Sequence, residues 1–193
     1  MLRSLELFTG AGGLALGTHK AGFRHVALLE WNRDACDTLR TNAAERTING
    51  ISKWRIEQGD IHDYDLTQFG PVDLVAGGPP CQPFSIGGKH QGWDDRRDLI
   101  PEFIRAVREL TPRAFIMENV KGLTRQKFRN YFQYAQLQLT YPTVNRRRRE
   151  TWEEHLARLE DLHTGGRHGG LKYNVIARLL NAANYGVPQT RER

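Results

Sequence analysis

Five short apolar runs recur along the chain and are separated by stretches with a different spacing of hydrophobic residues. Each run is brief, often β-branched, and bounded by Gly, Pro, Asp or Asn, which is typical of buried strands. The runs are Leu5–Phe8, Val26–Leu29, Trp54–Ile56, Val72–Ala76 and Ala114–Met117. Two intervening stretches, Asp34–Arg46 and Leu99–Leu110, carry apolar residues at helical spacing with charges between them. This alternation predicts an α/β fold of βαβ units, with an open, mostly parallel sheet and helices on both faces.

Small or polar residues follow every predicted strand, at positions where a buried core would favour apolar ones. They are Thr9–Gly13, Glu30, Asp60, Gly77–Cys81 and Glu118–Asn119. The carboxyl ends of parallel strands meet at one edge of a sheet, and ligands of doubly wound sheets bind beyond that edge. We therefore expect these five clusters to line one crevice.

Length, charge and cysteine content narrow the class of protein. A chain of 193 residues is long enough for a full core, so we predict a single domain over residues 1–193. Its 28 Lys and Arg against 22 Asp and Glu give a net charge of +6, which favours an anionic partner such as nucleic acid. Two cysteines cannot build a disulfide framework, and no window of 18 uncharged apolar residues occurs. We therefore expect a cytoplasmic protein with no membrane partner.

A glycine-rich turn at Thr9–Gly13 follows the first predicted strand and indicates a cofactor site. Glycines let the backbone approach a ligand closely and open a helix whose free N–H groups face that ligand. Glu30 lies 17 residues after Gly13, near the offset at which an acid reaches ribose hydroxyls in dinucleotide sites. An adenosine-containing ligand would fit, with Asp60 accepting from the adenine amino group. The alternatives are a plain strand-to-helix turn and a surface aspartate.

The segment Gly77–Ser85 places two glycines and three prolines around Cys81, which fixes a rigid and unusual backbone. A cysteine in such a loop can present a preorganised nucleophile. A lone thiol is more often a small buried hydrophobe, and we assign that role to Cys36. Glu118, after the fifth strand, can be held protonated near a nucleophilic cysteine and donate to a ring nitrogen. The alternative for Glu118 is an ordinary helix start, with Asn119 as the cap.

The composition changes after Asn145, and we interpret residues 145–170 as an insertion. Four arginines, Arg146–Arg149, precede a charged amphipathic segment at Glu150–Leu162 and a flexible glycine-rich loop at Gly165–Gly170. The arginine run could contact phosphates, although such runs are more often a solvated face.

Four motifs, taken in their order along the chain, resemble the DNA cytosine-5 methyltransferases. The motifs are Phe8–Leu14, Gly78–Ser85, Glu118–Val120 and Gln189–Arg193, and the resemblance covers nearly the whole chain from Leu5 to Arg193. It implies the Rossmann-like sheet of the S-adenosylmethionine-dependent methyltransferases and transfer of a methyl group to C5 of a cytosine in duplex DNA. It also implies a bacterial protein of a restriction-modification or solitary methylation system.

The resemblance carries the family's cofactor residues onto matching positions of this sequence. It implies that Glu30 binds the ribose of S-adenosylmethionine, that Trp31 stacks near the adenine, and that Asp60 with Ile61 recognises that base. Leu99 resembles a position that closes over the cofactor. The other implied cofactor residues are Phe8, Thr9, Gly10, Gly12, Gly13, Leu14, Gly78 and Pro80.

The resemblance also implies catalytic roles. Cys81 would attack C6 of a cytosine flipped out of the duplex, because the pyrimidine C5 is a poor nucleophile until a thiolate adds to its neighbour and forms an enamine. Glu118 would stabilise that intermediate through N3 and the exocyclic amine. Gln189, Arg191 and Arg193 resemble the segment that supports the flipped base, with Arg193 at the cytosine O2 and Arg191 at nearby polar groups.

The sequence departs from the family after Arg193, where the family continues with a strand, a target recognition domain and a late segment of the cofactor pocket. We therefore expect a sheet incomplete at the C-terminus, with an exposed edge. The chain is then either a truncated product or a subunit that needs a complementing C-terminal chain for target recognition. Other readings stay open: a transfer RNA cytosine-5 methyltransferase, an inactive fragment, and a Rossmann dehydrogenase. The last lacks the third glycine of its fingerprint and gives no role to Cys81.

Overall fold

The computed structural model describes residues 1–45, 48–81, 98–166 and 168–193. These residues form two compact units. The sheet unit comprises Met1–Pro79 and Glu109–Glu118, and the helical unit comprises Pro80–Arg108 and Asn119–Arg193. Parts of three predicted features lie outside the described residues: Gln82–Ser85 of the proline-rich motif, Arg46 at the end of a predicted helix, and Arg167 of the glycine-rich loop.

The sheet unit contains five parallel strands in the order β3-β2-β1-β4-β5. Their bounds are β1 Arg3–Leu7, β2 Arg24–Glu30, β3 Ile56–Gln58, β4 Leu74–Gly77 and β5 Ala114–Met117. The strand order reverses between β1 and β4, which is the place where doubly wound sheets bind their ligands. The predicted parallel α/β sheet is confirmed, and its two central strands are buried along almost their whole length.

Two helices pack on the strands of the sheet unit: α1, Gly13–Lys20, and α2, Arg33–Glu45. The helix predicted from Asp34 is therefore confirmed as α2. One cluster of the core joins Ala15 of α1, Leu28 of β2 and Leu39 of α2, with Trp54 and Ile56 packed against them. The buried face of α2, which includes Cys36 and Leu39, accounts for the helical spacing predicted over Asp34–Arg46.

The third strand begins two residues later than the sequence predicts. The prediction was Trp54–Ile56, whereas β3 spans Ile56–Gln58 and pairs with the end of β2. Trp54 is half-buried because its ring packs edge-on against His25, with ring centroids 5.1 Å apart, and not because its backbone joins the ladder. An apolar residue in the sequence predicts a buried side chain, but it does not show whether that side chain is buried by a strand or against neighbouring helices.

The helical unit contains the start of α3, Ile100–Leu110, together with α4, Arg129–Thr140, and α5, Trp152–Gly165. The helix predicted at Leu99–Leu110 is confirmed as α3. Helices α4 and α5 pack against each other through an apolar cluster of Tyr134, Leu137, Tyr141, Leu156 and Leu159. The segment interpreted as an insertion therefore contributes to the core of this unit.

Helix α5 differs at both ends from the predicted amphipathic segment Glu150–Leu162. It begins after Thr151, whose hydroxyl accepts from Glu154 N at 3.2 Å while the Glu154 side chain accepts from Thr151 N at 2.8 Å. This capping box fixes the first turn. The helix continues to Gly165 and stops at Gly166, which has a φ of 65°. Gly165 was predicted to lie in the loop, and that assignment was wrong because the stop signal is the next glycine.

The arginine run Arg146–Arg149 is exposed, as expected for a solvated face. Glu150 after it accepts from Arg158 Nε at 2.7 Å, and this bond lowers the pKa of Glu150 to about 2. One end of the run is thus joined to α5 through Glu150.

The edge strand β5 is less buried than its neighbour β4, and Ile116 on it is 45% exposed. Within the helical unit, exposed apolar side chains also occur near the C-terminal end, at Ile176, Leu179, Leu180, Tyr185 and Val187. No helix among the described residues is long and apolar enough to cross a membrane.

We expect Gly77→Ala to lower the free energy of unfolding by about 1–3 kcal/mol. A Cβ at Gly77 would lie 2.5 Å from the carbonyl oxygen of Leu7 on β1, so the two central strands would have to separate. Gly17→Ala is the matched control, because Gly17 lies within α1 with no heavy atom within 4 Å of its added Cβ, and it should stabilise the protein slightly. Urea denaturation of both variants measures the difference, and equal stabilities would contradict the close approach of β1 and β4.

Candidate active site

The glycine turn Thr9–Gly13 connects β1 to α1, as the sequence predicts for a turn that follows a strand and opens a helix. The strand ends because Phe8 adopts a left-handed backbone with a φ of 54°. Gly12 has a φ of 94°, and a Cβ there would lie 2.6 Å from a methyl carbon of Leu39, so another residue would be strained and would displace Leu39. Helix α1 begins at Gly13 with no side-chain cap. The first N–H groups of α1 are therefore left for another acceptor.

Glu30, the last residue of β2, connects this turn to the next one. Its carboxylate is 8% exposed and accepts from Gly10 N at 2.7 Å and from Asn32 N at 2.9 Å. Each carboxylate oxygen has a second lone pair, so these bonds leave acceptor capacity for a ligand. The structure brings Glu30 to the glycine turn, and the ribose contact that the offset from Gly13 suggests stays a prediction. Asn32 was missed because a backbone donor leaves no mark in the sequence.

Three further predicted cofactor residues lie after β2 and β3 in the sheet unit. Trp31 is 73% exposed, which leaves most of its indole face accessible for stacking. Asp60 accepts from His62 N at 3.0 Å and pairs with His62 Nδ1 at 2.6 Å, and so shapes a short 3-10 turn. Ile61 is buried in that turn. Asp60 therefore has a structural role in its turn, whatever ligand it also contacts.

Glu118 lies at the end of β5, beside the end of β4. Its backbone N donates to Gly77 O at 2.9 Å, and a Cβ at Gly78 would lie 3.0 Å from Glu118 Oε2. The glycine at position 78 therefore leaves room for this carboxylate. Asn119 does not cap a helix, because its Oδ1 accepts from Val120 N at 2.8 Å, and the 3-10 turn that follows has no side-chain cap.

Cys81 lies in the helical unit and is buried, with 8% of its surface exposed. Burial raises the pKa of its thiol, and the nearby charge of Asp98 raises it further. The predicted nucleophile is thus a neutral thiol at ordinary pH. Cys36, assigned to the core, is fully buried on α2, and its thiol donates to Glu30 O at 3.4 Å.

Two residues around Cys81 were not among the sequence-based candidates. Asp98 pairs with Cys81 through an antiparallel bridge, and Tyr131 on α4 donates its hydroxyl to the Asp98 carboxylate. Leu99 and Pro80, predicted as cofactor residues, are joined by a bond from Leu99 N to Pro80 O of 3.0 Å. An acid just before the apolar run of α3 is a helix-start signal that points to Asp98, whereas nothing in the sequence marks Tyr131.

The C-terminal motif is not a loose charged tail. Leu180 and Arg193 exchange two backbone hydrogen bonds of 2.8 and 2.9 Å, and Ala182 N donates to Arg191 O at 2.9 Å. Glu192 between them accepts from Lys121 Nζ at 2.5 Å. Arg191 and Gln189 are exposed, and Arg193 is half-buried. Because successive side chains of an extended backbone point to opposite faces, Arg191 and Arg193 lie on one face and Glu192 on the other.

The predicted site residues therefore divide between the two units. Those in the sheet unit are Phe8, Thr9, Gly10, Gly12, Gly13, Leu14, Glu30, Trp31, Asp60, Ile61, Gly78 and Glu118, and those in the helical unit are Pro80, Cys81, Leu99, Gln189, Arg191 and Arg193. Within the sheet unit, the glycine turn is joined to Glu30, and Gly78 adjoins Glu118. Within the helical unit, the structure brings Pro80 and Cys81 to Asp98 and Leu99.

The sequence matches the family model of the C-5 cytosine-specific DNA methylases over residues 2–140. The Type II methyltransferase M.NgoMIV of Neisseria gonorrhoeae is 41% identical over 190 residues, which are 98% of this chain and 49% of that protein. The Type II methyltransferase M.AquIA of Picosynechococcus sp. is 35% identical over 198 residues, covering 98% of this chain and 68% of that protein. The chain thus spans about half the length of M.NgoMIV.

Two solved structures share the fold of this chain. A putative DNA modification methyltransferase encoded within an E. coli prophage superposes with a TM-score of 0.65 at 26% identity, covering 100% of this chain and 44% of that one. The Dnmt2 methyltransferase of S. pombe superposes with a TM-score of 0.54 at 19% identity, covering 99% and 47%, and shares the fold.

Proposed function

The chain belongs to the C-5 cytosine-specific DNA methylase family, and we propose that it serves the methylation of cytosine at C5 in duplex DNA, with S-adenosylmethionine as methyl donor. The observation that carries the proposal is the family match over residues 2–140, which includes the glycine turn, Cys81 and Glu118. Its relatives are named as Type II methyltransferases, so we place the reaction in a bacterial restriction-modification system.

The sheet unit fits an adenosine-containing cofactor on its own geometry. The uncapped start of α1 offers N–H donors, and no heavy atom lies within 4 Å of where a Cβ would stand at Gly10 or Gly13. Glu30 has acceptor capacity for ribose hydroxyls, and the exposed indole of Trp31 can stack on an adenine. When bound, S-adenosylmethionine supplies the electrophilic methyl group of a sulfonium.

The proposed nucleophile is Cys81, which adds through Sγ to C6 of the target cytosine. The addition makes C5 an enamine carbon, and loss of the C5 proton later expels the thiolate. Since burial and Asp98 raise the pKa of Cys81, its thiol proton must pass to a water molecule or another base as the sulfur attacks. A cytosine inside a duplex cannot reach a buried thiol, so the base must be flipped out.

The other catalytic residues act on the ring that Cys81 attacks. Negative charge builds at N3 of the ring as sulfur adds, and Glu118 meets that charge by donating a proton at N3 while contacting the exocyclic amine. Arg193 and Arg191 support the flipped base, with Gln189 in the same segment. We assign recognition of flanking bases, which is read at base edges, to a complementing C-terminal chain or segment, because this chain spans 49% of the related M.NgoMIV.

A covalent trap tests this function. The purified chain, with S-adenosylmethionine, is incubated with duplex DNA that carries 5-fluorocytosine in varied contexts, and the products are separated on a denaturing gel. Fluorine cannot leave C5 as the proton does, so Cys81 stays attached to the base. We expect a shifted band with the chain alone or after a candidate C-terminal chain is added.

Two cysteine variants and an RNA substrate serve as controls for the covalent trap. Cys81→Ser removes the band and Cys36→Ala, at the chain's other cysteine, keeps it. An RNA duplex with the same base should give no band in competition with DNA, and a preference for RNA would favour the transfer RNA alternative. Absence of the band under both conditions would contradict the proposal and favour an inactive fragment.

A further inference from the structure

We propose that Asp98 is a positioning residue for Cys81, and that Tyr131 acts through Asp98 by holding its carboxylate in place. The inference rests on the proposed function, because it concerns the residue assigned there as nucleophile. Asp98 is 4% exposed, and its backbone pairs with Cys81 in an antiparallel bridge. Together with the bond from Leu99 N to Pro80 O, this bridge fixes the backbone on which the thiol stands.

The Asp98 side chain joins this backbone to two helices. One carboxylate oxygen accepts from Ile100 N at 3.1 Å, at the first residue of α3. The other oxygen accepts from the Tyr131 hydroxyl on α4, and Tyr131 is 4% exposed. A single buried side chain therefore connects the Cys81 backbone with α3 and α4. Removing one partner of such a buried network leaves an uncompensated polar group, which is costly.

Helix capping alone does not account for this arrangement. Asp60 and Asp65 each accept from the backbone N–H two residues ahead at 3.0 Å, as Asp98 does, and both are exposed. A capping aspartate in this chain therefore does not need to be buried. Asp98 differs in being buried, in accepting from the Tyr131 hydroxyl and in pairing its backbone with Cys81.

The position of Asp98 has an electrostatic consequence as well as a geometric one. A carboxylate near a thiol disfavours the thiolate, and burial and Asp98 together raise the pKa of Cys81. Asp98 thus holds the nucleophile in place while keeping it protonated. Loss of the carboxylate charge should make Cys81 more reactive toward a small alkylating agent and yet less able to attack a cytosine.

Alkylation of Cys81 by iodoacetamide between pH 7 and 9, read by peptide mass spectrometry so that Cys36 is followed separately, tests the charge. In Asp98→Asn we expect about tenfold faster alkylation at each pH, which corresponds to a thiol pKa lower by one. Tyr131→Phe keeps the carboxylate and should change the rate by less than threefold. Tyr134→Phe, which loses the bond to His155 Nδ1 in the core of the same unit, is the matched control and should leave the profile unchanged.

The 5-fluorocytosine trap tests positioning in the same variants. We expect Asp98→Asn and Tyr131→Phe each to slow adduct formation about tenfold, and the double variant to be no slower than Asp98→Asn, because Tyr131 acts through Asp98. Additive losses, or acceleration of alkylation by Tyr134→Phe as large as that by Asp98→Asn, would overturn the proposal. If the unaltered chain forms no adduct under any condition, the proposed function fails, while the alkylation profiles still decide the role of Asp98.

Discussion

Replacement of Cys81 by alanine is expected to reduce methyl transfer to DNA on the order of 10⁴-fold or more, while the affinity for S-adenosylmethionine changes by less than twofold. Alanine keeps a small apolar side chain at the buried position and removes only the sulfur that adds to C6. Two of the proposed cofactor residues, Gly10 and Glu30, are joined by a hydrogen bond of 2.7 Å within the sheet unit, and neither is next to Cys81 in the chain. Single-turnover transfer of a labelled methyl group and calorimetric titration of the cofactor measure the two effects.

Glu30→Ala is expected to weaken cofactor binding more than the methyl-transfer step, which is the opposite of Cys81→Ala. It removes the acceptor for Gly10 N and Asn32 N and the proposed ribose contact, so the cofactor affinity should fall about 100-fold. At saturating cofactor, Glu30→Ala should recover most of its transfer rate, whereas Cys81→Ala should not. Equal loss of cofactor affinity in both variants would contradict the separation of roles.

The second large effect concerns Glu6, a buried carboxyl on β1 beneath the glycine turn. It is 1% exposed, the Thr18 hydroxyl donates to Glu6 Oε1 at 2.5 Å, and His25 Nδ1 lies 3.6 Å away. Burial raises the pKa of Glu6 to about 7 from 4.5, and the bond from Thr18 offsets part of that rise. Glu6→Gln is expected to stabilise the protein above pH 7 by about 3 kcal/mol.

The stabilisation by Glu6→Gln grows with pH because the pKa of Glu6 is raised in the folded protein. Below pH 4.5 the carboxyl is protonated in both folded and unfolded chains, so the substitution has little effect. Between pH 4.5 and 7 the unfolded chain ionises and the folded chain does not, so the wild-type protein loses stability as the pH rises. Above pH 7 both states are ionised and the loss is complete. Glutamine is neutral throughout and can still accept from Thr18.

His25 contributes with the opposite sign in part of this range. A carbonyl oxygen only accepts, so Nε2 of His25 donates to Ala15 O at 3.0 Å, and Nδ1 can accept from the Ser4 hydroxyl at 2.7 Å. Both ring nitrogens are satisfied in the neutral form, and burial lowers the pKa of His25 to about 4. The stability from His25 is therefore lost as the pH falls from 6.5 to 4, and it opposes the slope from Glu6.

Comparison of Glu6→Gln with the wild-type protein removes the part of the His25 contribution that is the same in both chains, and at pH 8 His25 is neutral in both the folded and the unfolded states. Urea denaturation at pH 4.5, 6 and 8 gives the difference in unfolding free energy, with the exposed Glu45→Gln of α2 as the control that should show no trend. A difference in unfolding free energy that does not grow with pH would show that burial does not raise the pKa of Glu6.

The sequence alone determined the parallel sheet and the chemistry of its strand ends. All five strands lie within a few residues of the predicted runs, because burial on both faces of a parallel sheet leaves a continuous apolar signature. The turn at Gly12 was predictable for a local reason: a strand-to-helix turn that needs a positive φ, here 94°, favours glycine. Both signals depend on a few consecutive residues, and so they can be read without the fold.

The tertiary structure decided which apolar and polar residues become buried together. The sequence places Trp54 in a strand, but its side chain packs against the core cluster of Ala15, Leu28 and Leu39. The segment interpreted as an insertion forms a core with α4. Asp98 and Tyr131 are 33 positions apart, and the pKa of Glu6 depends on its removal from water between β1 and α1. Desolvation and side-chain pairing are properties of the space around an atom, and only the folded chain assembles that space from distant residues.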